Sequence, residues 1–559
     1  MKSRFTYSII AGALGIIALL AGCNSDLLDV QPTALINDEA IVSDSSVFED
    51  FVIARYMGAR LQDKEAEGTN PGFGRGFEYA LWASITDESI YNSDDNTWLI
   101  QRGQLAPENP GITGTIWSRS YRSIRECSYA LTHLGEVKMS EPRRQRLAAE
   151  LRFIRAYRYH DLLRNYGSVV LLGEHVAELQ DDLTDPALFE KSSIQQVVDY
   201  IVGELNAASN GLPAIYDNTV WKLGRATRGA ALALKARVLL YAASPLYNAG
   251  TWQAAATAAH DVMGLGYTLH PTYRELFLVN DSKEAIFERL YAVGARHVCL
   301  EISNGANGYG GWAGNSPLQN LVDAYEIKQN ATTAVPFDWN NPTHAQNPYV
   351  NRDPRFYASI LYNGATYRGR QIETFTPGGL DSKDGRDNWN TSKTGYYLYK
   401  FIDERFPIDN PWDVAGLQPW IYMRYAEVLL NYAEAQNEVS GPDASVYSAV
   451  NDIRKRAVMP ELPAGLSKDA MREAIRHERQ VELAFEEHRF YDVRRWKIAM
   501  DTENEPAYGV QITKNGNTLM YEKKVALEGR HFEEKHYWLP IPRLEILSSN
   551  NQLQQSPNY

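Results

Sequence analysis

The sequence predicts a mostly α-helical protein that contains helical hairpins and a large loop-rich region with little β-structure. Apolar residues recur at helical spacing through much of the 559-residue chain. A short Ala-rich motif occurs twice, each time followed by a turn and a second amphipathic helix. Between the two copies the helical stripes are short, and Gly, Asn, Pro and Tyr are frequent.

The amino terminus predicts export and lipidation. Lys2 and Arg4 precede an apolar run over residues 7–20, which is the layout of a secretory signal. The run is too short for a spanning helix, which needs roughly 20 apolar residues. Leu-Ala-Gly followed by Cys23 resembles the bacterial lipobox, in which signal peptidase II cleaves before an acylated cysteine. We therefore expect residues 1–22 to be a signal peptide and Cys23 to carry a lipid anchor; the alternative is a secreted protein with a chance cysteine.

Helical periodicity then follows the chain in order. Apolar stripes lie over residues 45–61 and 144–166, and the second ends at Gly167. A further stripe over residues 194–205 precedes a Gly-Leu-Pro stop. Loops of low periodicity separate the first two helices, at residues 63–76 and 87–111. These segments predict a helical N-terminal half.

The repeated motif predicts stacked hairpins. Residues 236–240 read Ala-Arg-Val-Leu-Leu, and residues 426–430 read Ala-Glu-Val-Leu-Leu. Each copy precedes a second amphipathic segment, at residues 252–263 and 445–456. Ala-rich hairpins on one template indicate tetratricopeptide-like units, which stack to bury faces that no single hairpin can cover. Because the spacing between the copies is irregular, we expect scattered hairpins rather than a continuous solenoid.

A charged helix is predicted over residues 467–487, continued by residues 489–496. Glu478, Glu482 and Glu486 follow one another at i,i+4 steps and alternate with arginines. Glycosidases use paired carboxylates, but carboxylates paired with arginine stay ionised rather than acting as acids. We interpret the row as a structural ion-pair lattice and predict no catalytic residue.

Composition and motifs exclude several classes of function. The formal net charge is −13 and no basic block occurs, which argues against nucleic acid and against docking on anionic lipid. Cys127 and Cys299 have no metal-ligand spacing, and both are expected to be buried thiols; the alternative is a disulfide between them, which nothing in the sequence supports. The segment 381–387 fails the EF-hand spacing, so calcium is unsupported. We predict no metal and no cofactor.

Several motifs together resemble the RagB/SusD family of nutrient-binding outer-membrane lipoproteins of the Bacteroidetes. They are Cys23 with Asp26-Leu27-Leu28-Asp29 and Pro32, Glu150–Tyr157 running into Tyr166-Gly167, Asn351–Arg355, Thr394–Tyr397 before Lys400-Phe401, Glu478–Trp496, and Leu539-Pro540-Ile541-Pro542. They span nearly the whole chain after Cys23. One departure is Glu487, where the family usually has glycine, and this puts the helix break there in doubt.

The resemblance implies an α-superhelical scaffold of four tetratricopeptide-like helical hairpins, with the loop-rich region laid over them. It also implies a partner, a location and a ligand class. The partner is a SusC-like TonB-dependent transporter, which the lipoprotein covers as a hinged lid on the outer membrane. The ligand is an oligosaccharide or polysaccharide, or a peptide in the rival hypothesis; a surface glycosidase is a second rival. The predicted divisions are a signal peptide (1–22), a lipidated tether (23–45), an N-terminal helical region (46–270), a loop-rich ligand-binding region (271–420) and a C-terminal helical region (421–559).

Three loops have the composition that sugar binding requires. Flat aromatic faces pack on sugar C–H surfaces, while amides, carboxylates and guanidinium groups bind hydroxyls. The loops are residues 92–98, residues 304–315, and residues 367–370 with 389–397. The candidate ligand-binding residues are Asp95, Trp98, Tyr309, Trp312, Arg370, Trp389 and Tyr397. The glycines of the second loop are expected to leave its rings exposed.

Overall fold

Long helices provide most of the regular structure. The computed structural model describes residues 38–57, 77, 79–94, 96–174, 176, 182, 184–216, 222–292, 297, 300–408 and 416–559. The long helices are α1 (Ser45–Ala54), α2 (Ile116–His133), α3 (Glu141–Tyr166), α4 (Ile194–Gly211), α5 (Arg228–Ala243), α6 (Trp252–Met263), α7 (Tyr425–Ser440), α8 (Ala444–Arg456) and α9 (Lys468–Glu482). Short helices are Asp38–Ser43, Trp98–Gln101, Leu300–Ser303, Gln319–Ala324, Pro342–Gln346, Pro354–Ser359, Arg489–Arg495, Ala499–Thr502 and Arg543–Ser548. The predicted mostly helical fold class is confirmed.

The long helices form one continuous stack. From α2 to α6 each helix packs against the next, and α6 also packs against α7. The two copies of the Ala-rich motif lie in α5 and α7, so the hairpins α5–α6 and α7–α8 meet although the 161 residues 264–424 lie between them. Ala236 and Ala426 are fully buried, which allows their helices to approach closely. The predicted helical hairpins are confirmed, but the expectation that they are scattered is wrong, because α6 packs directly against α7.

Local capping fixes where several helices begin. The Ser193 hydroxyl accepts the Gln196 backbone N–H at 3.3 Å, and the Gln196 side-chain oxygen accepts the Ser193 N–H at 2.9 Å. The Thr227 and Thr251 hydroxyls cap α5 and α6 in the same way. Helix α3 ends at Gly167, whose φ of 69° suits a residue without a side chain. These boundaries agree with the predicted ones.

The charged element is broken, which corrects the prediction of one helix continuing to residue 496. Helix α9 ends at Glu482, and a separate helix begins at Arg489. Between them Phe485 and Glu487 have φ of 65° and 66°, so the break persists although Glu487 is not glycine. Buried cations stabilise the turn: Arg424 donates to the Glu482 carbonyl at 2.9 Å, and Lys400 donates to the Ala484 carbonyl at 2.8 Å.

Strands in the described part of the chain form antiparallel pairs. They are β1 (Ser89–Tyr91), β2 (Val169–Val170), β3 (Lys191–Ser192), β4 (Ala285–Arg289), β5 (Asn315–Pro317), β6 (Ile327–Lys328), β7 (Ala334–Val335), β8 (Ile360–Leu361), β9 (Thr366–Tyr367), β10 (Arg370–Gln371), β11 (Tyr397–Leu398), β12 (Trp420–Arg424), β13 (Ala507–Asn515) and β14 (Thr518–Leu527). The pairs are β1–β5, β2–β3, β4–β12, β6–β7, β8–β11, β9–β10 and β13–β14. The long hairpin β13–β14 was not predicted. Its two-residue turn, Gly516-Asn517, is a typical hairpin signal.

A buried ion-pair lattice fastens the loop-rich region to the helical stack. Glu482 accepts Arg424 at 2.7 Å and Arg355 at 3.0 Å, and it also pairs with Arg456. Glu478 accepts Arg355 at 2.6 Å, and further pairs join Glu478 to Arg454 and Glu486 to Arg424 and Lys400. The structural interpretation of the glutamate row is confirmed. The predicted region boundaries at residues 270 and 420 stay predictions.

Candidate functional site

Asn92 joins the three predicted loops. Its backbone N–H donates to the Gly314 carbonyl at 2.7 Å, which binds the first loop to the second. Its amide nitrogen donates to the Thr391 carbonyl at 3.1 Å, and its amide oxygen accepts the Lys393 N–H at 3.0 Å. The three loops therefore form one surface, which we call the loop surface (residues 92–98, 304–315, 367–370 and 389–397).

The second loop folds tightly onto itself, which corrects the role expected of its glycines. A Cβ atom on Gly311 would lie 2.2 Å from the Gly305 carbonyl carbon, so the two backbones touch where a side chain would fit. Hydrogen bonds from Trp312 N to Ile302 O at 2.7 Å and from Gly314 N to Ser303 O at 2.6 Å close the fold. The glycines permit this close approach, and Tyr309 and Trp312 are half-buried rather than fully exposed.

Arg370 is held at the junction of the second and third loops. Its guanidinium binds Asp381 through two hydrogen bonds of 2.6 and 2.8 Å, and its central carbon lies 4.1 Å from the centre of the Tyr309 ring. The Asp381 contact raises the pKa of Arg370. The Tyr309 hydroxyl donates to the Tyr367 carbonyl at 2.6 Å. The structure therefore brings Tyr309 and Arg370 together, with part of the guanidinium open to solvent.

Tyr397 does not lie on the surface, which corrects its assignment as a ligand contact. Its side chain is fully buried in β11, and its hydroxyl lies 2.6 Å from Asn307 Oδ1 and 2.7 Å from the Asp381 carbonyl. Burial raises its pKa well above the usual value. Tyr397 supports the second and third loops from beneath.

Trp98 is packed at the edge of the loop surface. Its indole N–H donates to the Tyr91 carbonyl at 2.9 Å, and the ammonium of Lys393 lies 5.2 Å from the ring centre. The ring packs against a small apolar cluster that includes Ile90 and Leu318. Trp98 is thus half-buried, with its polar edge already satisfied.

Trp389 is the most exposed of the predicted aromatic residues that the structure describes, at 75% of its full accessibility. Its loop is fixed on both sides of the ring. The Arg386 carbonyl accepts the Asn307 amide at 2.7 Å, and the Thr391 carbonyl accepts the Asn92 amide. Because the loop is held on both sides of Trp389, the exposed indole is a flat surface whose position is fixed before a ligand binds.

Three residues for which the sequence predicts a role lie in parts of the chain that the structure does not describe. Cys23, Asp95 and Cys299 lie outside the described residues, so their predicted roles stay predictions. Cys127 is a buried free thiol, as predicted. Burial raises its pKa to about 12, so the unreactive thiol form predominates at neutral pH.

A polar cleft of about 300 Å³ adjoins the loop surface and was missed by the sequence analysis. Its walls include Lys383, Lys393 and Lys524, together with Thr374 and Thr391. Lys524 comes from the hairpin β13–β14. The Gly516-Asn517 turn could have located the hairpin, but no local signal places Lys524 beside lysines more than a hundred residues earlier.

A cavity of about 790 Å³ elsewhere in the described structure contains none of the predicted site residues. Two of its basic residues are already paired: Arg225 with Glu49 and Glu150, and Arg143 with Glu49. We place the candidate site at the loop surface because exposed aromatic and unpaired cationic groups converge there.

The acidic residues offer no catalytic pair in the glutamate row. Burial would raise the pKa of Glu482, but Arg456, Arg424 and Arg355 lower it far below its usual value. Glu486 is likewise kept ionised by Arg424 and Lys400, against the effect of burial.

Within the described residues, no group of three or more His, Cys, Asp or Glu could hold a metal ion. Among those residues, no helix is long and apolar enough to cross a membrane.

Comparisons with known proteins define the class of this scaffold. One family model, described as "SusD family", matches residues 283–559, and a second, described as "Starch-binding associating with outer membrane", matches residues 72–240. SusD-like protein P2 of Formosa agariphila is 25% identical over 513 residues, which cover 86% of this chain and 90% of that protein.

Solved structures agree in fold over nearly the whole chain. A SusD-like protein of Bacteroides fragilis has a TM-score of 0.76 and 29% identity, covering 94% of this chain and 99% of that one. A SusD-like carbohydrate binding protein of the same organism has a TM-score of 0.76 and 26% identity, covering 92% and 99%. The scaffold is that of SusD-like binding proteins. This chain belongs to the SusD/RagB family.

Proposed function

We propose that the protein is a cell-surface lipoprotein that binds a glycan at the loop surface and delivers it to a SusC-like TonB-dependent transporter. The observation that carries the proposal is the exposed Trp389 ring on a loop fixed at both flanks. A family model described as starch-binding and a related carbohydrate binding protein support the ligand class.

The chemistry of the loop surface suits a saccharide. An indole face can pack on the C–H face of a sugar ring, and its preformed position avoids the entropy cost of ordering a loop. Tyr309 and the part-exposed guanidinium of Arg370 add an aromatic edge and hydrogen-bond donors nearby. No bond is broken in this mechanism, because the protein only captures and releases its ligand.

The anchor and the partner form a second part of the proposal. A lipid on Cys23 would fix the chain to the outer membrane, and the tether of residues 23–45 would let the body move as a lid over the transporter. The outer-membrane association named in the second family model supports this arrangement. Cys23→Ala should release the protein from the membrane fraction of the producing cells, whereas a wild-type distribution would reject lipidation at Cys23.

The binding proposal is tested by titration calorimetry against panels of oligosaccharides and oligopeptides. Trp389→Ala should weaken glycan binding at least about tenfold, because a central aromatic contact is removed. Leu544→Ala is the matched control, since Leu544 is also 75% exposed but lies in the helix Arg543–Ser548. Binding of peptides without glycans would replace the glycan by a peptide ligand, and release of reducing ends would indicate a glycosidase; either result rejects the proposal.

A further inference from the structure

The cleft beside the loop surface has an unusual charge for this protein. It lies between the turn that carries Lys383, the loop that carries Thr391 and Lys393, and the hairpin β13–β14. The chain as a whole is acidic, with a formal charge of −13. Three lysine residues nevertheless line this cleft: Lys383, Lys393 and Lys524.

None of the three ammonium groups has a carboxylate partner among the described residues. Lys393 donates to the Asn92 carbonyl at 2.7 Å, and Lys524 lies 3.4 Å from the Gln511 amide oxygen. Lys383 is exposed and makes no side-chain hydrogen bond within the described chain. Like charges converging without counter-ions repel one another, so an anion in the cleft would lower their energy.

The one carboxylate in the cleft wall does not neutralise the lysines. Asp381 is fully buried and gives both oxygens to Arg370, at 2.6 and 2.8 Å. It also accepts the Glu373 N–H at 2.9 Å. Its charge is therefore balanced inside the wall, and the cleft keeps its positive character.

Two hydroxyl groups in the same wall have no partner. The Oγ1 atoms of Thr374 and Thr391 are enclosed, yet neither makes a hydrogen bond to any described residue. Enclosed hydroxyls without partners are uncommon in folded proteins because each one costs free energy. Both oxygens are shielded from solvent, so the donors that an oxyanion in the cleft would meet are the lysine ammonium groups, which form charge-assisted hydrogen bonds.

We propose that this cleft binds the anionic substituent of an acidic saccharide, either a uronate carboxylate or a sulfate ester. The inference rests on the proposed glycan-binding function and names the charge class of its ligand. The exposed Trp389 ring on its fixed loop is the platform on which a sugar ring would pack. The cleft adjoins this platform, since Thr391 lies two residues after Trp389 and Lys393 contacts both Asn92 and Trp98. A glycan on the platform can thus place an anionic group of a neighbouring residue in the cleft.

The test uses a variant that removes charge without disturbing the loop surface. Lys393 is left intact because it holds Asn92, and the double variant Lys383→Ala/Lys524→Ala changes exposed side chains only. The matched control is Lys138→Ala/Lys283→Ala, which removes two exposed lysines outside the cleft. Both proteins, the wild type and Trp389→Ala are titrated with maltoheptaose, an oligogalacturonate and a sulfated carrageenan oligosaccharide of similar length.

We expect the wild type to bind at least one acidic oligosaccharide and the cleft variant to bind it at least about tenfold more weakly. The control should bind as the wild type does. Comparing the oligogalacturonate, which carries carboxylates, with the carrageenan oligosaccharide, which carries sulfate esters, identifies which anion the cleft binds. Salt should weaken wild-type binding more than binding by the cleft variant.

Three results would overturn the inference, and they show whether the proposed function fails with it. If only maltoheptaose binds, or if the cleft variant binds acidic ligand as the wild type does while Trp389→Ala loses affinity, the cleft assignment is wrong and the glycan platform stands. If no oligosaccharide in the panel binds to any of the proteins, the cleft assignment and the proposed function fail together. Melting temperatures of the variants check that each is folded.

Discussion

Asn92 and Lys393 contact each other twice. The Asn92 amide oxygen accepts the Lys393 backbone N–H at 3.0 Å, and the Lys393 ammonium donates to the Asn92 carbonyl at 2.7 Å. This pair lies where the platform and the cationic cleft meet. It therefore couples the position of the Trp389 loop to the position of a cleft lysine.

The first prediction concerns this junction. Asn92→Ala removes two side-chain hydrogen bonds, worth about 1 kcal/mol each, so urea unfolding should show a loss of about 2 kcal/mol. Glycan affinity should fall by about tenfold, because the Trp389 loop is freed on one side. Ser93→Ala changes an exposed neighbour and should leave both quantities unaltered. Unchanged affinity in Asn92→Ala would contradict the idea that this junction preforms the platform.

The second prediction concerns the contact between the second and third loops. A Cβ atom on Gly308 would lie 2.4 Å from Asp381 Oδ1 and 2.7 Å from an Arg370 terminal nitrogen. Gly308→Ala must therefore displace the Arg370–Asp381 pair, and overpacking of this kind costs about 1–3 kcal/mol. Calorimetry should show a lower melting temperature and weaker glycan binding.

Gly135→Ala is the control for that substitution, because no atom lies within 4 Å of the Cβ position at Gly135. It should change stability by no more than about 0.5 kcal/mol. A Gly308→Ala protein as stable as this control, with wild-type affinity, would show that the two loops can separate without consequence.

Elements set by local chemistry could be predicted from the sequence. Helix α4 begins at the Ser193 capping box and α3 ends at Gly167, and both signals lie within a few residues of the boundary. The positions of the loop rings could not be predicted in this way. Tyr397 and Trp389 stand in the same Gly- and Asn-rich stretch, yet Tyr397 is buried because Asn307, 90 residues earlier, accepts its hydroxyl.

The cleft could be predicted from the sequence even less well than the positions of the loop rings. Lys383 and Lys524 are brought together by a hairpin whose turn is local but whose docking is not. The Thr376 N–H bonds the Ile512 carbonyl at 2.9 Å, and the Val510 N–H bonds the Thr394 carbonyl at 2.9 Å. Such backbone contacts leave no pattern in side-chain periodicity, so a single sequence does not reveal them.

The third prediction concerns the buried lattice. Glu482→Gln keeps the shape of the side chain but removes the charge that Arg355, Arg424 and Arg456 share. Breaking a buried ion pair on one side costs about 3–5 kcal/mol, because the remaining charges stay buried. Urea unfolding should show that loss.

Glu473→Gln is the control for the lattice, since Glu473 pairs with Arg476 in α9 but is 71% exposed. An exposed pair contributes about 0.5 kcal/mol or less. Equal stability of the two variants would mean that the lattice does not hold the loop-rich region to the helices.

The fourth prediction is a pH dependence at Glu88. Burial, together with the nearby charge of Asp87, raises the pKa of Glu88 from 4.5 to about 8. The folded protein thus keeps this carboxyl protonated between about pH 4.5 and pH 8, while the unfolded chain ionises it. The unfolded state then binds fewer protons, so this group lowers the free energy of unfolding as the pH rises through that window.

Glu88→Gln removes the titration and keeps an oxygen that can accept the Phe485 N–H, now 3.2 Å from Glu88 Oε2. The variant should match the wild type near pH 4.5 and become progressively more stable than it as the pH approaches 8, as followed by urea unfolding at each pH. Glu505→Gln changes an exposed carboxyl and should show no such divergence. A constant difference between Glu88→Gln and the wild type across the window would mean that Glu88 is ionised in the folded protein. Arg489, which bonds Asp87 at 2.7 and 2.8 Å, would then compensate the charges of two carboxylates rather than one.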